Sequence, residues 1–212
     1  PPVASWPADW RDLPRARQLL AEWRGRSADG VSSSDVARLA IEEALEGSHR
    51  HVFGVLVWFV LLPGPCGAVL YRASAVLAEH WGRNAPNDEA GAFTGFARQA
   101  FAIIDWLPVR ATAAAFAVVG DFEDAVYCWR TQADKWPGDG LGIVLASGAG
   151  ALGVRLGMPV VESGEVADRA ELGTGDEADV EFMQSAVGLV WRSVVLWVVL
   201  LLLLGLASLV GS

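Results

Sequence analysis

The hydrophobic pattern is heaviest at the carboxyl end. After Arg192 the chain reads SVVLWVVLLLLLGLASLVGS with no charge through Ser212. A helix needs about 20 apolar residues to cross the hydrocarbon core of a bilayer, and this run meets that length. It predicts a spanning helix, with Trp191 and Trp197 near an interface and Arg192 reaching toward headgroups. A second uncharged run, VFGVLVWFVLLPGPCGAVLY, covers residues 52–71. Pro63, Gly64, Pro65 and Gly67 interrupt it, because proline removes a backbone donor and clashes with the preceding turn. The expectation is a kinked or re-entrant membrane segment, either a broken spanning helix or a hairpin of two half-helices.

Weaker patterns fill the middle. QAFAIIDWLPVRATAAAFAVVG, residues 99–120, is apolar apart from a few polar positions, and LGIVLASGAGALGV, residues 141–154, is short for a crossing. The small residues Ala146 to Ala151 suit close helix packing. Toward the amino end, DLPRARQLLAEWRGR places Leu13, Ala16, Leu19, Leu20 and Trp23 on one helical stripe. DVARLAIEEALEGSHRH repeats this through Val36, Leu39, Ala40 and Leu45, with SADGVSSS as the loop between. VESGEVADRAELGTGDEADVE, residues 161–181, reads as an acidic, solvated loop. The pattern thus divides the chain into a polar amphipathic helical segment (1–51), a membrane-associated helical region (52–160), the acidic loop (161–181) and a transmembrane helix (182–212). The fold class is all-α, an integral membrane helical protein with amphipathic cytoplasmic helices.

Composition agrees with this class. Of 212 residues, 53% are hydrophobic, and mean hydropathy is +0.35 where soluble domains usually fall below zero. A net charge of −9 argues against nucleic acid as a partner, since phosphate binding needs a basic face. Residues 1–51 hold seven of the sixteen cations, all arginine, which places that segment in the cytoplasm. The two cysteines, Cys66 and Cys128, form no metal spacing or disulfide framework, and Cys66 reads as a small buried hydrophobe. The chain opens at Pro1 without methionine, so the expectation is that natural sequence precedes it. PPVASWPADW has neither the basic start nor the apolar core of a signal peptide.

Candidate chemistry is sparse. His49 and His51 flank Arg50, but on a helix their rings point about 200° apart and do not chelate together. Histidine at a membrane interface and a ligand or phosphate contact remain the readings. GAGALG at 148–153 has the letters of a dinucleotide loop, which would require a preceding strand and a following helix. Packing glycines suit its Ala-rich surroundings better. No Walker loop, nucleophile elbow or HExxH motif is present. Asp105 and Arg110 are the informative pair, because a charge at membrane depth is costly and faces a cavity or a partner. Two roles stand open. Asp105 caps a helix that starts there, with Pro108 in its first turn, or the pair contacts a ligand, with Arg110 holding phosphate or pairing with Asp105.

Three stretches carry a resemblance. IDWLPVRATAAAFAVVGDFEDAVYCWR (104–130), IVLASGAGALGVRLGMP (143–159) and SHRHVFGVLVWFVLLPGPCGAVLYR (48–72) resemble the CobD/CbiB family of cobalamin biosynthesis proteins and its relative AmpE. The likeness covers roughly residues 36–159 well. It implies a multi-pass protein of the bacterial inner membrane with further apolar helices before Pro1. Its synthase branch joins aminopropanol, or its phosphate, to a corrinoid carboxyl group, an amide-forming ligation that implies ATP and Mg2+. On this likeness Glu46 and Asp105 are the catalytic candidates, and Arg110, Arg72 and His49 the substrate-binding ones. No residue is assigned to a metal. The chain departs from the synthase pattern in EEALEGSHRH, where Gly47 and Arg50 replace an Asn and an Asp, and in EHWGRNAPNDE. Such departures fit an AmpE-like, non-catalytic membrane sensor, although Glu42, Glu43, Asp121, Glu123 and Asp124 offer other carboxylates.

Overall fold

The computed structural model describes residues 13–25, 30–62, 65–83, 88–137, 140–162, 165–167 and 169–210, without the side chains of 81–94, 161–168 and 210. Eight α-helices dominate them: α1 (Leu13–Arg24), α2 (Ser33–Ser48), α3 (Gly54–Leu61), α4 (Cys66–Arg83), α5 (Asp88–Val119), α6 (Phe122–Gln132), α7 (Leu141–Leu152) and α8 (Val180–Val210). The all-α class expected from the pattern is the one observed.

The amphipathic helices form as their stripes predict. Ala16, Leu19 and Leu20 of α1 and Val36, Leu39 and Ala40 of α2 are buried, and α1 packs on α2. Ser32 caps α2 by accepting from the Asp35 amide. Between α2 and α3 the backbone passes through one π turn, His49–Phe53. The Pro/Gly interruption then separates α3 from α4, and the two helices pack against each other as a hairpin. Gly67 is needed at that crossing, since a Cβ there would overlap the Trp58 carbonyl. Phe59, Leu61, Val69, Leu70, Val76 and Leu77 face outward from the hairpin.

Among the described residues two helices are long and apolar enough to cross a membrane, and their surroundings differ. In α5 the apolar stretch Gly95–Val119 is 44% buried, so this helix runs through the bundle and touches α3, α4, α6, α7 and α8. In α8 the stretch Val180–Leu209 is only 11% buried. Ala186, Leu189 and Ser193 pack inward against α2 and α5, whereas the run from Val198 to Leu209 is largely exposed. A helix of 31 residues is about 46 Å long, more than the ~30 Å hydrocarbon core. Ser193 and Ser208 return their hydroxyls to carbonyls of their own helix.

Glycine and alanine build the contact between α6 and α7. A Cβ on Gly150 would overlap the Asp124 carbonyl of α6, and on the side facing α2 one on Gly148 would press on Leu45. The GAGALG letters therefore belong to a buried helix end with no strand before it, and they serve packing.

Four sequence expectations change. Asp105 does not cap a helix, because α5 begins at Asp88 and holds both Asp105 and Pro108 in its interior. Cys66 is exposed in the first turn of α4, while Cys128 is the buried one. His49 is buried at 1% exposure instead of lying at an interface. The acidic segment is also more than a solvated loop. It carries β2 (Val160–Glu162) antiparallel to β3 (Glu165–Ala167), and β4 (Asp176–Glu177) parallel to β1 (Val154–Arg155). Leu172 is fully buried, Arg169 reaches back to Glu42 on α2, and α8 starts at Val180. The altered EHWGRNAPNDE stretch falls largely on residues whose side chains lie outside the described set.

Candidate active site

Pro108 lies inside α5 and has no amide to offer the Ile104 carbonyl one turn earlier. Trp58 of α3 fills the gap, its indole Nε1 donating to that carbonyl at 3.1 Å. The proline therefore ties the hairpin to the long helix without ending it.

Along the inward face of α5, Asp105, Val109, Thr112 and Phe116 form one stripe, each 4% exposed or less. Asp105 is held by groups from two other segments. Tyr71 of α4 donates its hydroxyl to Asp105 Oδ1 at 2.8 Å. His49, at the start of the π turn, places Nε2 3.0 Å from Oδ1 and 3.2 Å from Oδ2. Its Nδ1 lies 2.9 Å from the Thr112 hydroxyl, which is also 2.9 Å from the Pro108 carbonyl. Nε2 donates to Asp105, and the Thr112 hydroxyl donates to the Pro108 carbonyl. Gly54 makes room for this arrangement, because a Cβ there would overlap the Tyr71 ring. Phe101 packs on Tyr71 at 5.8 Å between ring centroids, and Phe53 meets Phe116 edge-on at 5.7 Å.

On its other side Asp105 borders a cavity of about 360 Å³ between α5, the turn after α6 and the start of α7. Trp106 and Arg110 of α5, with Asp134 and Trp136 opposite, supply most of its polar wall, and Gly140 to Ile143 close it. Gly140 adopts φ 86°, and a Cβ on Gly142 would overlap the Ala133 carbonyl, so both glycines are required at this wall. No ion pair joins Asp105 to Arg110, which corrects the pairing entertained from sequence. Arg110 folds over the Trp106 ring at 4.1 Å and donates to the Trp106 carbonyl.

The remaining candidates lie elsewhere. Glu46 pairs with Arg50 one turn on, at 3.1 Å, so the residue that departs from the synthase pattern neutralises the one that fits it. Arg72 donates to His51 Nδ1 at 2.7 Å. Partial desolvation, with Arg72 and Arg50 nearby, holds the His51 imidazole below its ordinary value of 6.5, consistent with a neutral ring accepting that bond. Asp105 and Arg110 thus share the cavity, His49 stands behind Asp105, and Glu46 and Arg72 line a separate polar strip. Tyr71 and Thr112 carry no motif, but the spacing of Asp105 and Thr112 on the stripe of Val109 and Phe116 would have placed Thr112 on this face.

Two of the five carboxylates offered for Mg2+ are engaged by the protein itself. Glu42 accepts from Arg169 and from the Gly157 amide, both at 2.8 Å, and Asp121 caps α6. Among the described residues no three His, Cys, Asp or Glu side chains converge for a metal, so no step is assigned to one.

A family profile described as CobD/Cbib protein matches residues 3–190. The chain is similar to the Cobalamin biosynthesis protein CobD of Stutzerimonas stutzeri, 39% identical over 203 residues, covering 95% of this chain and 65% of the relative. It is similar to the protein of the same name from Chromobacterium violaceum, at 37% over 202 residues, 95% of this chain and 63% of the relative. The Mycobacterium tuberculosis counterpart is 33% identical over 185 residues, 83% of this chain and 57% of the relative. The chain therefore spans less than two thirds of the length of these relatives. No solved structure matches it. With a profile match over most of its length and 39% identity to a curated member, the chain belongs to the CobD/Cbib family.

Proposed function

We propose that this chain serves cobalamin biosynthesis in the bacterial inner membrane, as part of a multi-pass synthase that attaches aminopropanol, or its phosphate, to a corrinoid carboxyl group. The observation that carries this reading is the cavity beside Asp105. It sets one buried carboxylate and one guanidinium on the same helix around about 360 Å³. That volume is at the small end of ligand pockets, too small to enclose a corrin macrocycle and suited to a short phosphorylated amine. Arg110 takes the anionic end, and Asp105 takes the amino group. The corrinoid presents only its carboxyl-bearing side chain here, with its ring outside. Amide formation needs an activated carboxyl, which the resemblance assigns to ATP and Mg2+; no residue here is given to either. Glu46 and Arg72 lie off this cavity and are not placed on the reacting groups.

Complementation of a strain lacking the synthase tests the proposal. The full-length gene is expected to restore cobinamide formation. Asp105→Asn and Arg110→Ala, in protein that inserts normally, each lower activity by roughly a hundredfold or more. Full activity in both variants would sink the assignment of the pair.

A second reading, the non-catalytic AmpE-like sensor, is favoured by Gly47 and Arg50 at the synthase-pattern positions. Failure of the wild-type gene to complement would select it.

A further inference from the structure

The polar groups behind Asp105 are arranged unequally around its two oxygens, and that asymmetry deepens the reading above, on which it rests. Oδ1 receives the Tyr71 hydroxyl at 2.8 Å and His49 Nε2 at 3.0 Å, which fills both of its lone pairs. Oδ2 has only the longer 3.2 Å approach of the same Nε2. The residue also borders the cavity. We propose that Tyr71, His49 and Thr112 are positioning residues that hold Asp105 so that Oδ2 faces the cavity as the acceptor for a substrate's primary ammonium group.

Each member has a separate part. Tyr71 comes from α4, passes over Gly54 and fixes Oδ1. His49 is fully buried, so its ring contacts protein and not ligand, and the Thr112 hydroxyl sets its orientation through Nδ1. Thr112 itself lies two turns beyond Asp105 on the same helix, which makes the spacing of the two groups that hold the imidazole a property of α5 alone. A carboxylate so braced cannot turn its saturated oxygen toward the ligand. Selectivity for an amine over its deaminated analogue follows, because the analogue brings Oδ2 no donor to replace the water it displaces.

The test is a binding comparison in the purified full-length protein, using 1-aminopropan-2-yl phosphate and propan-2-yl phosphate as probes. The wild type is expected to bind the amine at least tenfold more tightly. In Tyr71→Phe and Thr112→Val that preference falls to within about twofold, while affinity for propan-2-yl phosphate stays unchanged and so reports an intact fold. Thr112→Ser, which keeps the hydroxyl, retains the preference. If Tyr71→Phe does not fold, the Thr112→Val and Thr112→Ser pair decides. Unchanged preference in the Thr112→Val and Tyr71→Phe variants overturns the positioning role. Equal binding of the two probes by the wild type overturns the ammonium contact but spares the phosphate reading. Binding of neither probe overturns the functional reading itself.

Discussion

Pro108 removes one backbone donor from the middle of α5, and the Trp58 indole replaces it, so two residues distant in sequence act as one unit. Trp58→Phe should cost about 1–2 kcal/mol by leaving the Ile104 carbonyl unpaired, measured as a lowered melting temperature in detergent. In a Pro108→Ala background, where a helix amide returns, the same change should cost close to nothing. Additive effects in that double-mutant cycle would contradict the account. His51 gives a pH prediction of definite sign. Its folded value lies below 6.5, so as pH falls through that region the unfolded chain takes up the proton first and stability declines. His51→Gln should flatten the slope below about pH 6.5. Its effect is small, because the ring is largely exposed and screened. At this scale the sequence displayed Asp105 and Arg110 clearly but misplaced Asp105. Proline is common in a first helical turn, and nothing local shows that a distant tryptophan makes an interior one tolerable.

Between elements, backbone approach at glycine decides what fits. Gly150→Ala should force α6 from α7 and destabilise by about 2 kcal/mol or more, since backbone at Asp124 has no side-chain freedom with which to yield. Arg169→Ala would strand the buried Glu42 carboxylate and cost about 3 kcal/mol, loosening the short strands from α2. Denaturation midpoints would check both. The small-residue stretch 146–151 announced the first contact, because a run of Ala and Gly has little use except close approach. The second was illegible. A single arginine in an acidic, glycine-bearing segment gives no sign that it crosses to a glutamate 127 positions earlier.

Across the whole molecule, the apolar runs were the strongest signal and placed α8 and the α3–α4 hairpin well. Period and composition report what a segment can bury, and they say little about which polar side chains meet. The cavity between α5, α6 and α7 exists only once three separate segments are packed. Cysteine reactivity provides a topological readout of this packing. Cys66, exposed beside the hairpin turn, should label with a thiol reagent in detergent, whereas Cys128 should resist. Burial also pushes the Cys128 thiol up, which slows it further. Protection of Cys66 from a membrane-impermeant reagent in vesicles, with labelling restored by detergent, would place the hairpin tip within the bilayer. Rapid labelling from the aqueous side would place it at the surface.

The π turn at His49–Phe53 has a consequence for reading related sequences. A π turn holds one more residue than the α-turn it replaces, and each residue advances a helix by about 100°. Deleting one residue between 49 and 53 would keep helix continuous from α2 into α3 yet rotate His49 away from Asp105 or Gly54 away from Tyr71. A single-residue gap there, invisible to percentage identity, would therefore separate homologues that keep this polar cluster from those that retain only the bundle.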